Sequence, residues 1–335
     1  MERILNDLVA VTGGDGFIGS HLVDALVSRG FRVRAMAQYN AFGTWGWLDR
    51  MPKDELREVE VVLADVRDSR SVHEFVRGAS VVYHLAALIA IPFSYQAPRS
   101  YLDTNATGTL NVLEAARDIG TPRVVHTSTS EVYGTAQEVP ISEAHQLQAQ
   151  SPYAASKIAG DKLAESYHRS FGVPVATLRP FNTFGPRQSA RAVIPTIITQ
   201  LVAGERDLQL GLLSPTRDFN YVTDTVEAFV AVGTAPSDSV VGRVFNAGSG
   251  IESSIGDVVR TIGEILGVQP RIAEDQARMR PDDSEVMRLV ADATLLRGAT
   301  GWAPRFTLRQ GLQATCSWFS DPANLANYKW DRFNL

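Results

Sequence analysis

A chain of 335 residues, 44% of them apolar and only one of them cysteine, can bury a large core and has no internal disulfide to rely on. A formal net charge of −5, with no Lys/Arg-rich run, argues against a nucleic-acid binder. No stretch approaches the roughly 18 apolar residues of a membrane span, and Met1–Asp7 is too charged for a secretory leader, so a cytoplasmic protein without membrane attachment is expected.

In chain order, Leu8–Val11 reads as a buried strand and Phe17–Ser28 as a helix. Between them Gly13, Gly16 and Gly19 form a glycine turn of the dinucleotide type. It turns tightly at Gly13, lets backbone approach a pyrophosphate at Gly16, and packs helix on strand at Gly19. The helix N-terminus then meets the negative charge.

Arg32–Ala37 is the second strand. It ends in Met36-Ala37-Gln38-Tyr39-Asn40, with neither the acid that bonds a ribose diol nor an arginine for a 2′-phosphate. Gln38 and Asn40 are the expected diol ligands, which favours NAD over NADP. Trp45, Trp47 and Trp302 are expected to pack rather than to bind. Val59–Leu63 is the third strand. Asp65-Val66 after it fits an adenine contact, or Asp65 caps a helix starting near Ser69–Ser71.

Val81–Leu85, Val124–Thr127 and Val175–Leu178 continue the strands, with long helices over Asp103–Ile119 and Tyr153–Phe171 between them. Strands alternating with helices predict an α/β fold with a doubly wound parallel sheet. The segments after each strand, from Gly13 to Thr127–Glu131, should converge at one edge.

The most telling residues follow the fifth strand. Tyr153 and Lys157, four apart on a helix, share a face. The lysine is expected to depress the phenol pKa so that tyrosinate acts as a base. Thr129 offers a hydroxyl to the same substrate oxygen. Glu131 adds a carboxylate that alcohol oxidation alone does not need, which points to proton removal from carbon. Tyr133 is expected to pack. The six histidines show no ligand spacing, so no metal is expected. Cys316 lies in an apolar helical pattern and reads as a core residue.

Beyond Phe181 the pattern shifts. Asn182–Arg191 reads as a loop, Ala192–Ala203 as a helix and Asp207–Leu213 as a short strand. Phe219–Val222, the helix after it, and Val244–Asn246 read as a return to the main sheet. Ile255–Leu266, Arg271–Ala273 and Thr307–Phe319 would form a smaller mixed lobe. The expected division is 1–182 with 221–252 for the dinucleotide and 183–220 with 253–335 for the second ligand.

With the glycine turn, Asp65-Val66, His84-Leu85-Ala86-Ala87, Tyr153-x-x-x-Lys157 and Arg217-Asp218-Phe219 in order, the chain resembles the extended short-chain dehydrogenase/reductases over nearly its whole length. Thr129-Ser130-Glu131-Val132-Tyr133-Gly134 resembles the nucleotide-sugar 4,6-dehydratases, including the GDP-mannose type. Tyr39–Asp49 and Arg280–Val286 look like the branch that dehydrates nucleotide-linked N-acetylglucosamine in legionaminic acid pathways.

The resemblance implies NAD as cofactor and a nucleotide-diphosphate sugar as substrate. Gly13, Gly16, Phe17 and Ile18 would hold the pyrophosphate. Leu85, Ala86, Ala87, Asn105 and Thr127 would line the nicotinamide side, and Lys157 would bond its ribose. Leu88, Asn182 and Val193 would contact the sugar nucleotide, and Arg217 and Arg280 would clamp its diphosphate. Many dTDP-glucose dehydratases carry Asp where this chain has Ser130. Ser130 is a poor proton donor, so Glu131 is expected to carry both proton transfers.

A UDP-glucuronate decarboxylase carries the same Thr-Ser-Glu, and a 4-epimerase needs Thr129, Tyr153 and Lys157 without Glu131. A nucleotide sensor would only bind. The family's usual homodimer would use Asp103–Ile119 and Tyr153–Phe171, with Leu110, Leu113, Ile158 and Leu163 facing the partner.

Overall fold

The computed structural model describes residues 7–332, so all but Asp7 of the expected absence of a leader lies outside the described residues. Six strands come first: β1 (Leu8–Thr12), β2 (Arg32–Gln38), β3 (Val59–Ala64), β4 (Val81–His84), β5 (Val124–Thr127) and β6 (Val175–Pro180). Then follow β7 (Asn182–Phe184), β8 (Asp207–Leu210), β9 (Thr216–Tyr221) and β10 (Val244–Ala247). The last are β11 (Glu252–Ser254), β12 (Arg271–Glu274) and β13 (Arg288–Leu289).

Seven strands make a parallel sheet in the order β10-β6-β5-β4-β1-β2-β3. Its central strands are buried on both faces, as their unbroken Val/Ala/Leu runs require. Helices Phe17–Ser28 and Val222–Thr234 cover one face, and Ser69–Val76, Gly108–Ile119 and Pro152–Phe171 the other. This is the expected doubly wound α/β fold. The order reverses beside β1, so the ends of β1 and β4 flank the crevice where such sheets bind ligands.

The second half departs from expectation in detail. The strand expected at Phe219–Val222 is β9, and it does not join the main sheet. It anchors a separate one, pairing with β7, β11 and β13. Its residues are buried on both faces, so their apolar content could not say which sheet they enter. Val244–Ala247 does return to the main sheet, as β10 beside β6. The strand from Asp207 stops at Leu210 and pairs with β12 in a two-stranded sheet. The long helix expected from Asp103 opens instead as a π-helical stretch over Leu102–Thr107 and becomes α-helical only at Gly108.

Cys316 is buried in the core, where desolvation pushes its thiol up to about 12. Trp302 is buried and donates its indole N–H to the Asp224 carbonyl. Trp47 packs against Trp318 and Tyr328. Among the described residues no helix is long and apolar enough to cross a membrane.

Candidate active site

A cleft of 890 Å³ runs along the C-terminal edge of the main sheet. It begins at the glycine turn. Gly13 has φ +68°, and a side chain there would strike the Ala86 backbone at 2.8 Å. A Cβ on Gly19 would lie 2.0 Å from the Gly13 carbonyl, so the third glycine is needed for the turn to close on the helix. Thr12 locks this corner. Its hydroxyl accepts from the Leu85 and Ala86 N–H groups at 3.0 and 3.1 Å. No side chain caps the helix that starts at Phe17, and its first turn lines the cleft. Uncapped N–H groups beside a glycine turn fit a pyrophosphate.

The cleft walls gather Gly13, Gly16, Phe17, Ile18, Gln38, Asp65, Val66, Leu85, Ala86, Ala87 and Thr127 at this end. Two nominated residues are placed elsewhere. Asn40 does not line the cleft. Its amide donates to the Gln38 and Thr44 carbonyls and accepts from Phe42 and Thr44, closing its own loop. Asn105 is buried behind the wall, bonding both backbone polar groups of Leu88 and the Ser156 hydroxyl. These bonds fix the Leu88 backbone against the π-helical stretch. Asp65 does not cap the following helix either; Asp68 does, accepting from Ser71 N–H at 2.7 Å. The Asp65 carboxylate is forked by Arg67.

Thr129, Ser130, Glu131, Tyr153 and Lys157 meet at the centre of the cleft. Ser151 caps the helix of Tyr153 and Lys157, accepting from Ala154 N–H at 3.1 Å, with Pro152 at its first position. Thr129 caps the short turn that carries Glu131. The Tyr153 phenol lies edge-on to Tyr101, and the Thr129 hydroxyl is near enough to lower its pKa.

The expected depressed phenol is not found. Burial raises the Tyr153 pKa, and the Glu131 charge raises it further; the Thr129 hydroxyl opposes both only in part. Lys157 is turned elsewhere, donating to the Thr127 carbonyl at 2.6 Å, and burial lowers its own pKa to about 8. The i, i+4 spacing put both groups on one face, but it carried no information on desolvation.

The far end holds Leu88, Asn182, Val193, Arg217 and Arg280. Glu285, which the sequence reading did not nominate, sits between the arginines, 3.3 Å from Arg217 and 3.6 Å from Arg280. Asp218, next to Arg217 in the chain, is engaged elsewhere and accepts from Ser249, Gly250 and Ala291 N–H. The Asn182 Oδ1 and Thr127 Oγ1 atoms are buried without a hydrogen-bond partner, as befits groups that a ligand completes.

Beneath the catalytic pair lies a buried ionic cluster. Asp161 accepts from both ends of the Arg179 fork at 2.8 and 3.1 Å and pairs with His126 at 3.2 Å. Although burial alone would raise it, those partners hold the Asp161 carboxyl down at about 2. Its contribution to stability is therefore present above the ordinary carboxylate range and is lost as pH falls from about 4 through 2. Asp161→Asn, which strands the Arg179 charge, is expected to lose ~3–5 kcal/mol at pH 7. Urea melts at pH 7 and pH 3 would check this: the deficit should be full at neutral pH and smaller in acid. Tyr133, as expected, packs rather than reacts; its hydroxyl bridges Arg179 and Asn246.

The family model described as GDP-mannose 4,6 dehydratase matches residues 10–315. A UDP-glucose 4-epimerase of Mycolicibacterium smegmatis is 32% identical over 92% of this chain and 97% of its own. A dTDP-glucose 4,6-dehydratase of Xanthomonas campestris pv. campestris is also 32% identical, over 96% and 93%. A UDP-N-acetyl-alpha-D-glucosaminuronate decarboxylase of Bacillus cytotoxicus is 31% identical over 94% and 98%. Among solved structures, Thermus thermophilus UDP-glucose 4-epimerase in complex with NAD superposes with a TM-score of 0.81 at 29% identity, covering 94% of this chain and 99% of that one. The chain belongs to the extended short-chain dehydrogenase/reductases that act as epimerases and dehydratases, in the family of that GDP-mannose dehydratase model. It is an enzyme of nucleotide-sugar chemistry. The relatives at this level of identity divide among epimerases, dehydratases and a decarboxylase.

Proposed function

We propose that the chain is an NAD-dependent nucleotide-sugar 4,6-dehydratase, converting a nucleotide-diphosphate hexose or N-acetylglucosamine to its 4-keto-6-deoxy form. The observation that carries this reading is the position of Glu131. Its carboxylate faces the same pocket as the Tyr153 phenol, near enough to raise the phenol pKa. An epimerase has no use for a second acid/base group there.

Bound NAD supplies reversible hydride acceptance. Tyr153, once ionised to tyrosinate, takes the proton of the C4 hydroxyl, and Thr129 hydrogen-bonds O4 as it becomes a carbonyl. The 4-ketone acidifies the C5 hydrogen. Glu131 removes that proton and delivers one to the departing C6 hydroxyl, with Ser130 beside it. Tyr153 releases the C4 hydroxyl proton to solvent, Glu131 is reprotonated from solvent, and it returns that proton to C5 as C6 is reduced. Arg217 and Arg280 offer guanidinium forks to the diphosphate. That role requires Glu285 to yield part of its hold on them.

A cytoplasmic homodimer completes the reading. Leu110, Ile158 and Leu163 on the two long helices keep exposed area for a partner, whereas Leu113, also nominated for that face, is buried in the chain's own core.

Mass spectrometry of products from UDP-, GDP- and dTDP-linked hexoses, UDP-N-acetylglucosamine and UDP-glucuronate tests the proposal. Loss of one water without net NADH is expected from one of the neutral sugars. Loss of carbon dioxide from the glucuronate, or isomerisation at unchanged mass, would replace it with the decarboxylase or the epimerase.

A further inference from the structure

We infer that Asp15, within the glycine turn, selects NAD over NADP, supplying from the turn after β1 the carboxylate that the end of β2 lacks. The inference rests on the dinucleotide reading above and names the residue that sets its cofactor.

Dinucleotide folds commonly place an acid at the end of the second strand to accept from the adenosine ribose diol. Here that strand ends in Gln38, which is neutral. The Asp15 Oδ2 accepts the Gln38 backbone N–H at 3.0 Å, so a carboxylate stands at the vacant position although it comes from another part of the chain. The placement is built. Gly14 N–H donates to the Met36 carbonyl at 3.0 Å, stitching the turn to β2. Trp47 N–H donates to the Asp15 carbonyl at 3.0 Å, and Gly46, at φ +58°, passes so close that a side chain there would strike that carbonyl. The excursion after β2 thus folds back to clamp Asp15.

Asp15 lines the cleft beside Gly16, Gln38 and Asp65. No ion pair engages it among the described residues, whereas Arg67, the guanidinium on this wall, is already forked on Asp65. An unpaired carboxylate accepts from a ribose diol and repels a 2′-phosphate, which carries close to two negative charges.

Equilibrium binding of NAD+ and NADP+ to the full chain, followed by calorimetry, tests the assignment. Wild type should prefer NAD+. Asp15→Asn keeps an acceptor for Gln38 N–H and removes the charge; the ratio of NAD+ to NADP+ affinity should fall by roughly tenfold or more. Asp15→Ser, a second neutral acceptor, covers a failure of the first variant to fold. A wild type that prefers NADP+, or variants that keep the wild-type ratio while still binding NAD+, would overturn the inference and leave the dinucleotide reading intact. Wild type that binds neither nucleotide would overturn both.

Discussion

Replacing Glu131 by glutamine is expected to stop dehydration while sparing the oxidation that precedes it. Glutamine matches the carboxylate in shape and cannot take a proton from C5. Turnover should fall by roughly 10²–10⁴-fold, the span for loss of a positioned acid/base group. The reaction would halt after C4 oxidation, so NADH should accumulate to one equivalent per site in a rapid-mixing experiment. A second consequence has a definite sign. The Glu131 charge raises the Tyr153 pKa, so its removal should move the acidic limb of the oxidation step to lower pH. Undiminished water loss in the variant would sink the assignment. An unshifted limb would mean that Glu131 and Tyr153 do not share a site in the working enzyme.

Tyr153→Phe is expected to remove the oxidation itself, again by roughly 10²–10⁴-fold, and with it every later step. No NADH should appear in the burst, which separates this variant from Glu131→Gln. The buried phenol is neutral at pH 7 in this state, because burial outweighs the effect of the Thr129 hydroxyl. Wild-type oxidation should therefore rise with pH as the phenol ionises, and a cation brought alongside would move that limb down. The Lys157 ammonium donates to the Thr127 carbonyl in this structure. A Tyr153→Phe enzyme that retained the burst would transfer the role of base to another group.

Much of this was legible in the sequence because the signals were local. The glycine turn, the alternation of strands and helices, and the Tyr/Lys pair each occupy a few consecutive residues whose geometry follows from backbone rules. What escaped depended on distant neighbours. Gln38 and Asn40 were nominated by position after β2, yet the carboxylate at that place arrives from Asp15, and Asn40 spends its amide on its own loop. Asn105 was nominated through the family resemblance; in the fold its partner is the Leu88 backbone, which no spacing reveals. Glu285 lies within the Arg280–Val286 stretch, from which only Arg280 was nominated, and only the fold brings it between Arg217 and Arg280. The sheet to which β9 belongs was hidden because a strand buried on both faces reads the same in either place.

The seven-stranded sheet is completed late. Its edge strand β10 joins β6 only after the chain has left to build β7, β8 and β9. During synthesis the Val175–Leu178 edge of β6 therefore emerges with unpaired N–H and C=O groups and apolar side chains on both faces. Such an edge invites pairing with other chains. The interval between release of β6 and arrival of β10 is thus a stage at which the nascent protein is open to aggregation and a chaperone has an edge to protect.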